Sequence, residues 1–253
     1  MDYLLILTIL LIIIIILYLL KPTLDKFTVP SRKINPCCIY VCYKIDELDY
    51  KFISKHNNII KFYVVNSIDE NNQPNEFSNK IRKLNNVVYI ERPNNGWDTT
   101  AWKETILKYY NDLSKYDLVI LANNSNSYDF DLRKLCAHAI DYDMYGLKDA
   151  NDYWNHFQSY FIVIHKHLFT SDDFKNYWKN MPQINNREDA IHQHELKFKP
   201  HFDNLGYKLG VYDITKINPY IKTDKTRPYN PETIKKIALT DLYHDNLKKN
   251  FKY

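Results

Sequence analysis

The stretch RPNNGWDTTAWK, residues 92–103, gathers side chains that bind hydroxyls and anions. Asn94, Asn95 and Asp98 surround Gly96, one of only four glycines in 253 residues. The stretch lies between an expected strand end and an expected helix start, where backbone amides point outward and favour negative charge. Gly96 there allows a positive φ, or lets a ligand approach the backbone closely. A plain turn in which Asp98 merely caps the helix uses the same residues. A second cluster, Asn123-Asn124-Ser125-Asn126, follows the apolar run LVILA. It contains no carboxylate. Asn-Asn-Ser is formally an N-glycosylation sequon, but a place at a strand end argues against a modified surface loop.

Carboxylates occur close by and further on. Asp129-Phe130-Asp131 could hold Mg²⁺ or Mn²⁺ against a diphosphate, or could cap the helix that buries Leu132 and Leu135. Glu195 falls with Ile191, Phe198, Phe202 and Leu205 at spacings of about three or four, on one apolar stripe of a helix expected over 187–205. A carboxylate on such a face needs a partner or a raised pKa, so it marks either a site or a buried ion pair. His192 and His194 flank it toward other sides. His165 and His167 follow a strand and read as surface residues.

The elements that must position these groups alternate. Apolar runs at 38–43, 59–65, 87–90 and 118–122 read as strands. Helical spacing separates them: Leu48 and Phe52, then Phe77, Ile81 and Leu84, then Trp102, Ile106, Tyr109 and Leu113. This implies right-handed βαβ units and an α/β fold with a mostly parallel, Rossmann-type sheet flanked by helices. Ligands in such folds sit at the carboxyl ends of strands. That rule marks Tyr43-Lys44, Asn66-Ser67, 91–98 and 123–127. Further on, 143–147, QSYFIVI (158–164) and 209–212 read as strands. A helix over 172–181 buries Phe174 and Trp178.

Composition sets the outer limits. The chain is 45% hydrophobic and 15% aromatic, enough for a sizeable core. Its heavy use of Tyr, Asn, Ile and Lys reads as AT-rich coding, such as that of a large DNA virus or a protist. The net charge of +4 is spread along the chain, too weakly for nucleic-acid binding. Cys37, Cys38, Cys42 and Cys136 form neither a disulfide framework nor a zinc spacing and read as buried small hydrophobes. Tyr3 to Leu20 is an uncharged apolar run long enough for a helix of about 27 Å. We read 1–21 as a transmembrane anchor, 22–36 as a Pro-containing stalk, 37–214 as one domain and 215–253 as a basic extension. Lys21, Lys26, Arg32 and Lys33 follow the span, so the positive-inside rule puts the soluble domain in the cytoplasm of a single-pass membrane protein.

The order of these pieces resembles the rhamnan-synthesis F-type glycosyltransferases. The pieces are Asn94-x-Gly96-x-Asp98, a strand ending in Asn123-Asn124-Ser125, and His156-Phe157-Gln158-Ser159-Tyr160-Phe161. The helix of Phe174 and Trp178 follows, then a Glu195-bearing helix ending in Gly206-Tyr207. The resemblance covers roughly 38–213 and implies a GT-A-like fold, a nucleotide-sugar donor and a glycan, lipid or protein acceptor. It implies that Asn94, Gly96 and Asp98 form the donor loop and that Asn123, Asn124 and Ser125 lie near the diphosphate. His156, Gln158 and Ser159 would line the acceptor side, and Glu195, as general base, and Asp98 would be the catalytic residues. One departure stands out: Asn124 occupies a place where relatives show Asp, which tells against a resident Mg²⁺ or Mn²⁺. It also leaves open a module that kept the fold, lost the chemistry and binds a glycan or protein partner.

Overall fold

The computed structural model describes residues 34–126, 128, 130–150 and 155–212. The chain divides into two units, Met1–Ile34 and Asn35–Tyr253. Apart from Ile34, the described residues belong to the second. The apolar run 3–20, most of the stalk and the extension from 215 lie outside them. Among the described residues no helix is long and apolar enough to cross a membrane.

Four strands form a parallel wing: β1 (Pro36–Cys42), β2 (Lys61–Ile68), β3 (Val87–Pro93) and β4 (Leu118–Asn123). All residues of β1 (PCCIYVC) and β4 (LVILAN) are buried. Such unbroken apolar runs are what a strand covered on both faces requires. Beyond β4 the sheet turns mixed. β8 (Phe161–His165) runs antiparallel to β4 and to β5 (Met144–Gly146), and β9 (Leu209–Val211) closes the edge parallel to β5. The full order is β3-β2-β1-β4-β8-β5-β9, with β6 (Asp149–Ala150) and β7 (His156–Phe157) in a separate antiparallel ribbon.

Helix starts follow from local chemistry. α1 (Glu47–His56) begins in a capping box, where Asp46 accepts from the Leu48 and Asp49 amides and the Asp49 side chain takes the Asp46 amide. α2 (Glu76–Arg82) repeats the device with Asn75 and Ser78. α3 (Trp97–Leu113) carries Trp102 and Ile106 into the core. It also returns the chain from β3 across β2 and β1 to β4. That reversal makes the carboxyl ends of β1 and β4 the topological switch point, where ligands settle in open α/β sheets.

The second half packs α4 (Leu132–Ala139), α5 (Lys166–Phe169) and α6 (Asp172–Asn180) around the mixed strands. Two elements differ from the sequence reading. QSYFIVI is not one strand: the chain bends at Gln158–Tyr160, where the Gln158 amide bonds Lys148 C=O and Tyr160 C=O takes the Asn123 amide. The helix expected over 187–205 is three pieces, α7 (Arg187–Asp189), a π-helical turn at Ala190–Glu195 and α8 (Leu196–Asn204). The wider turn rotates the stripe. Ala190, His194, Phe198 and Phe202 are buried, whereas Leu205 is 50% exposed and Ile191 and Glu195 are half-buried. Pro200 within α8 brings no N–H to the ladder, a constraint that periodicity counting ignores.

Candidate functional site

The loop after β3 is built around a buried arginine. Arg92 is 7% exposed and grips Glu104 of α3 through Nε (2.7 Å) and Nη2 (3.2 Å). Its Nη2 also donates to Asn95 C=O (2.9 Å) and Asn95 Oδ1 (2.6 Å). This fork fixes the loop against the helix that follows. Gly96 then takes φ +66°, and a Cβ on it would lie 2.1 Å from Thr100 Oγ1, so only glycine fits. Trp97 continues with φ +56°, uncommon for a bulky residue, and is 41% exposed. Asp98 is thereby placed in the first turn of α3. It does not cap the helix: Gly96 is the N-cap, and no side chain bonds there.

Asp98 Oδ2 instead accepts from Asn123 Nδ2 at 2.7 Å, linking α3 to the end of β4. Desolvation pushes the Asp98 carboxyl up to about 6; the Asn123 bond and the Arg92 charge pull it down, and the Glu195 charge pushes it up. Asp98 and Glu195, remote in sequence, therefore share one electrostatic environment. The other face of Asn123 is occupied too, because its Oδ1 takes the Ser125 amide at 3.0 Å. Asn123 is 4% exposed, which removes it as a glycan acceptor.

Asn124 performs different work. Its Oδ1 accepts the Tyr43 amide (3.1 Å), and its Nδ2 donates to Tyr43 C=O (3.1 Å) and to buried Asp49 (3.1 Å). Asp49 is held in turn by the Tyr40 hydroxyl at 2.8 Å. An aspartate at 124 could not donate to Tyr43 C=O and would face the Asp49 carboxylate. The Asn-for-Asp departure thus has a structural reason. The same bonds turn both asparagine side chains toward their own backbone, which makes them a poor set of divalent-cation ligands. Both asparagine side-chain oxygens already accept backbone amides. Asp131 accepts the Arg133 amide as the N-cap of α4, and Asp129 lies outside the described residues. Among the described residues no group of three or more His, Cys, Asp or Glu side chains comes together.

The other expected residues are distributed around this centre. Asn94 donates to Asp69 Oδ2 at 2.8 Å, and Asp69 Oδ1 takes the Tyr43 hydroxyl at 3.3 Å, so the ends of β1, β2 and β3 are tied together. The Asn94 bond is the main cause that holds the Asp69 carboxyl below its ordinary value. Ser125 is exposed beside Asn123. Gln158 and Ser159 follow β7 at the same end of the sheet, next to the Tyr160–Asn123 bond. His156 is 2% exposed in β7 and so belongs to the packing. A hollow of about 420 Å³ lined by Asn57, Asn58, Lys83, Leu84, Asn85 and Asn86 lies at the opposite, amino ends of β2 and β3. It offers none of this chemistry.

Sequence reasoning gave no role to Arg92, Asp49 or Asp69, and set His194 aside as a residue flanking Glu195. Buried His194 is bonded to the Tyr177 hydroxyl through Nδ1 (2.9 Å), and burial pushes it down to about 3. It lies among Trp178, Phe198 and Trp102, with ring centroids 5.0, 4.8 and 6.3 Å away. It therefore forms part of the aromatic wall behind Glu195.

Among solved structures, the chain is similar to HddC from Yersinia pseudotuberculosis (12% identity, TM-score 0.43, covering 70% of this chain and 89% of that one). It is also similar to the glycosyltransferase GlyE of Streptococcus pneumoniae TIGR4 (12%, 0.43, covering 70% and 45%). An uncharacterised protein, y4gN, of Sinorhizobium fredii is 26% identical over 152 residues; the match takes in 56% of this chain and 40% of that relative. The family model of rhamnan synthesis protein F matches residues 62–239, well over half of the chain and including the donor-loop candidates, the β4 end and Glu195; the chain belongs to the rhamnan synthesis protein F family.

Proposed function

We propose that the chain is a GT-A-like glycosyltransferase. It moves a hexosyl or deoxyhexosyl group from a nucleotide-activated donor to a glycan, lipid or protein acceptor. The family supports a role in polysaccharide synthesis. The observation that carries the reading is the placement of Asp98 at the switch point, where Asn123 at the end of β4 holds its carboxylate at 2.7 Å. Asp98, oriented by Asn123, accepts hydrogen bonds from donor-sugar hydroxyls. Glu195 takes the proton of the acceptor hydroxyl as its oxygen bonds the anomeric carbon, while the bond to the diphosphate breaks and its electron pair leaves with the phosphate. Asn94 and Gly96 shape the donor side, and Gln158 and Ser159 face the acceptor. The run 3–20 serves as a membrane anchor that leaves the catalytic unit in the cytoplasm.

The test is a nucleotide-sugar panel on the full chain, recording thermal shift and donor turnover with Mg²⁺, with Mn²⁺ and with chelator. One donor stabilises the wild type and turns over. Asp98→Ala loses donor binding, and Glu195→Gln keeps binding but loses turnover. If no donor binds folded protein in any condition, the enzyme reading gives way to a binding module. The engagement of Asn123 and Asn124 with their own chain is the feature that favours such a module.

A further inference from the structure

Among the described residues at the switch point, few cations are free to meet the charge of a leaving group. Transfer from a nucleoside diphosphate sugar places new negative charge on the diphosphate, which must be met by fixed positive charge. The asparagines at the end of β4 are a poor set of metal ligands, and Arg92 is fully engaged with Glu104 and Asn95. Lys103 donates to Met181 C=O at 2.6 Å. Lys44, one residue past the peptide that Asn124 clamps, differs from both.

Three features single it out. Its backbone is left-handed, φ +60°, at a β1–α1 turn where Gly or Asn would sit without strain; Trp97 is the only other non-glycine residue with positive φ among the described residues. Both occur at the carboxyl ends of the parallel strands. The turn is held on both sides, by Asn124 bonding the Tyr43 amide and carbonyl and by Asp46 capping α1. Lastly, Lys44 is exposed and has no carboxylate partner among the described residues. Glu47 pairs with Lys51 at 3.0 Å, and the Lys44 ammonium lies over the Tyr43 ring, 5.4 Å from its centroid. A lysine kept in a costly conformation, unpaired, at the switch point has the placement of an anion ligand.

We infer that Lys44 binds the diphosphate of the nucleotide donor and stabilises it as it departs, with Asn124 as the residue that positions it. This rests on the transferase reading above. It gives Asn124 a role that explains why the position is not an aspartate: it aims a cation instead of ligating one.

Calorimetric titration of the full chain with nucleosides and their diphosphates, for the uracil, guanine and thymine series, separates the possibilities. Expected for the wild type is one diphosphate bound more tightly than its nucleoside. Lys44→Ala and Lys44→Gly weaken that diphosphate about tenfold and leave the nucleoside unchanged, while Lys44→Arg retains most of the affinity. Lys44→Gly also raises the unfolding midpoint, because glycine relieves the left-handed turn, so a folding defect cannot account for the loss. Wild-type diphosphate affinity in both Lys44→Ala and Lys44→Gly would overturn the inference and leave the transferase reading standing. A wild type that binds no diphosphate at all overturns both.

Discussion

The two halves of this domain hold their side chains in place by different means. From β1 to β4, polar groups at strand ends are fixed by bonds to backbone: Asn124 to Tyr43, Asn123 to the Ser125 amide, Arg92 to Asn95 C=O. From β5 onward, position is set by packed rings. Trp178, His194, Phe198 and Phe202 form a continuous cluster, with centroids of 5.6 Å between Trp178 and Phe198 and 5.4 Å between Phe198 and Phe202. Both halves leave some buried polar atoms without hydrogen-bond partners among the described residues, Asn66 Nδ2 and Tyr89 OH in the first and Trp178 Nε1 and His194 Nε2 in the second. Directional bonds thus dominate at the ends of the parallel strands, and ring packing, with the Tyr177–His194 bond, dominates in the wall around His194. At the strand ends of the first half a change of chemistry is expected to cost most, and in the aromatic wall a change of volume.

Five measurements break or sharpen that contrast. The largest effect is expected from Glu195→Gln, which cuts turnover by about 10²–10⁴-fold with donor affinity unchanged, the usual weight of a general base. Single-turnover kinetics beside a binding titration reads both. Next, Phe198→Ala in the aromatic wall costs about 3–5 kcal/mol in denaturant unfolding, because the surrounding rings cannot collapse into the space. Phe198→Leu costs clearly less. Third comes Asn124→Asp, nearly unchanged in volume, which destabilises by about 2–3 kcal/mol at neutral pH through a lost donor and the apposed Asp49 carboxylate. A loss as small as that of a surface substitution would erase the distinction between the halves. Gly96→Ala follows at about 1–2 kcal/mol, from the left-handed backbone and the contact with Thr100.

The fifth measurement is a pH dependence. Asp98 is raised from its ordinary 3.8 to about 6, so the fold favours its protonated form. Its contribution to stability is full below pH 4 and is lost as pH rises through 6. Donor binding runs the other way, because accepting sugar hydroxyls requires the carboxylate: affinity rises as pH passes 6. Asp98→Asn flattens both curves, as titration of unfolding and of donor affinity between pH 4 and 8 will show.

Sequence periodicity gave the parallel wing well because each strand there is built on an apolar run and the first two helices carry their own capping boxes. Residue types at strand ends also marked the loop of Asn94, Gly96 and Asp98, the asparagines after β4 and the turn at Lys44, and the structure puts these at one end of the sheet. Periodicity misread the helix around Glu195, because a helical repeat of 3.6 was carried through a π turn and a proline. The predicted stripe therefore included Ile191 and Leu205, whereas the buried one runs through His194. It could not have assigned Asn124 its role, since its partners Tyr43 and Asp49 are remote in the chain.

What the sequence alone determined was the alternation of elements, the turn that only Gly96 can make and the residues gathered at strand ends, all consequences of local sterics and spacing. What only the tertiary structure decided was which of those polar groups face one another. Asn123 meets Asp98, Asn124 turns away to clamp Tyr43, and Glu195 comes within the field of Asp98. Hydrogen bonding and desolvation depend on neighbours in space, and chain order does not encode those one residue at a time.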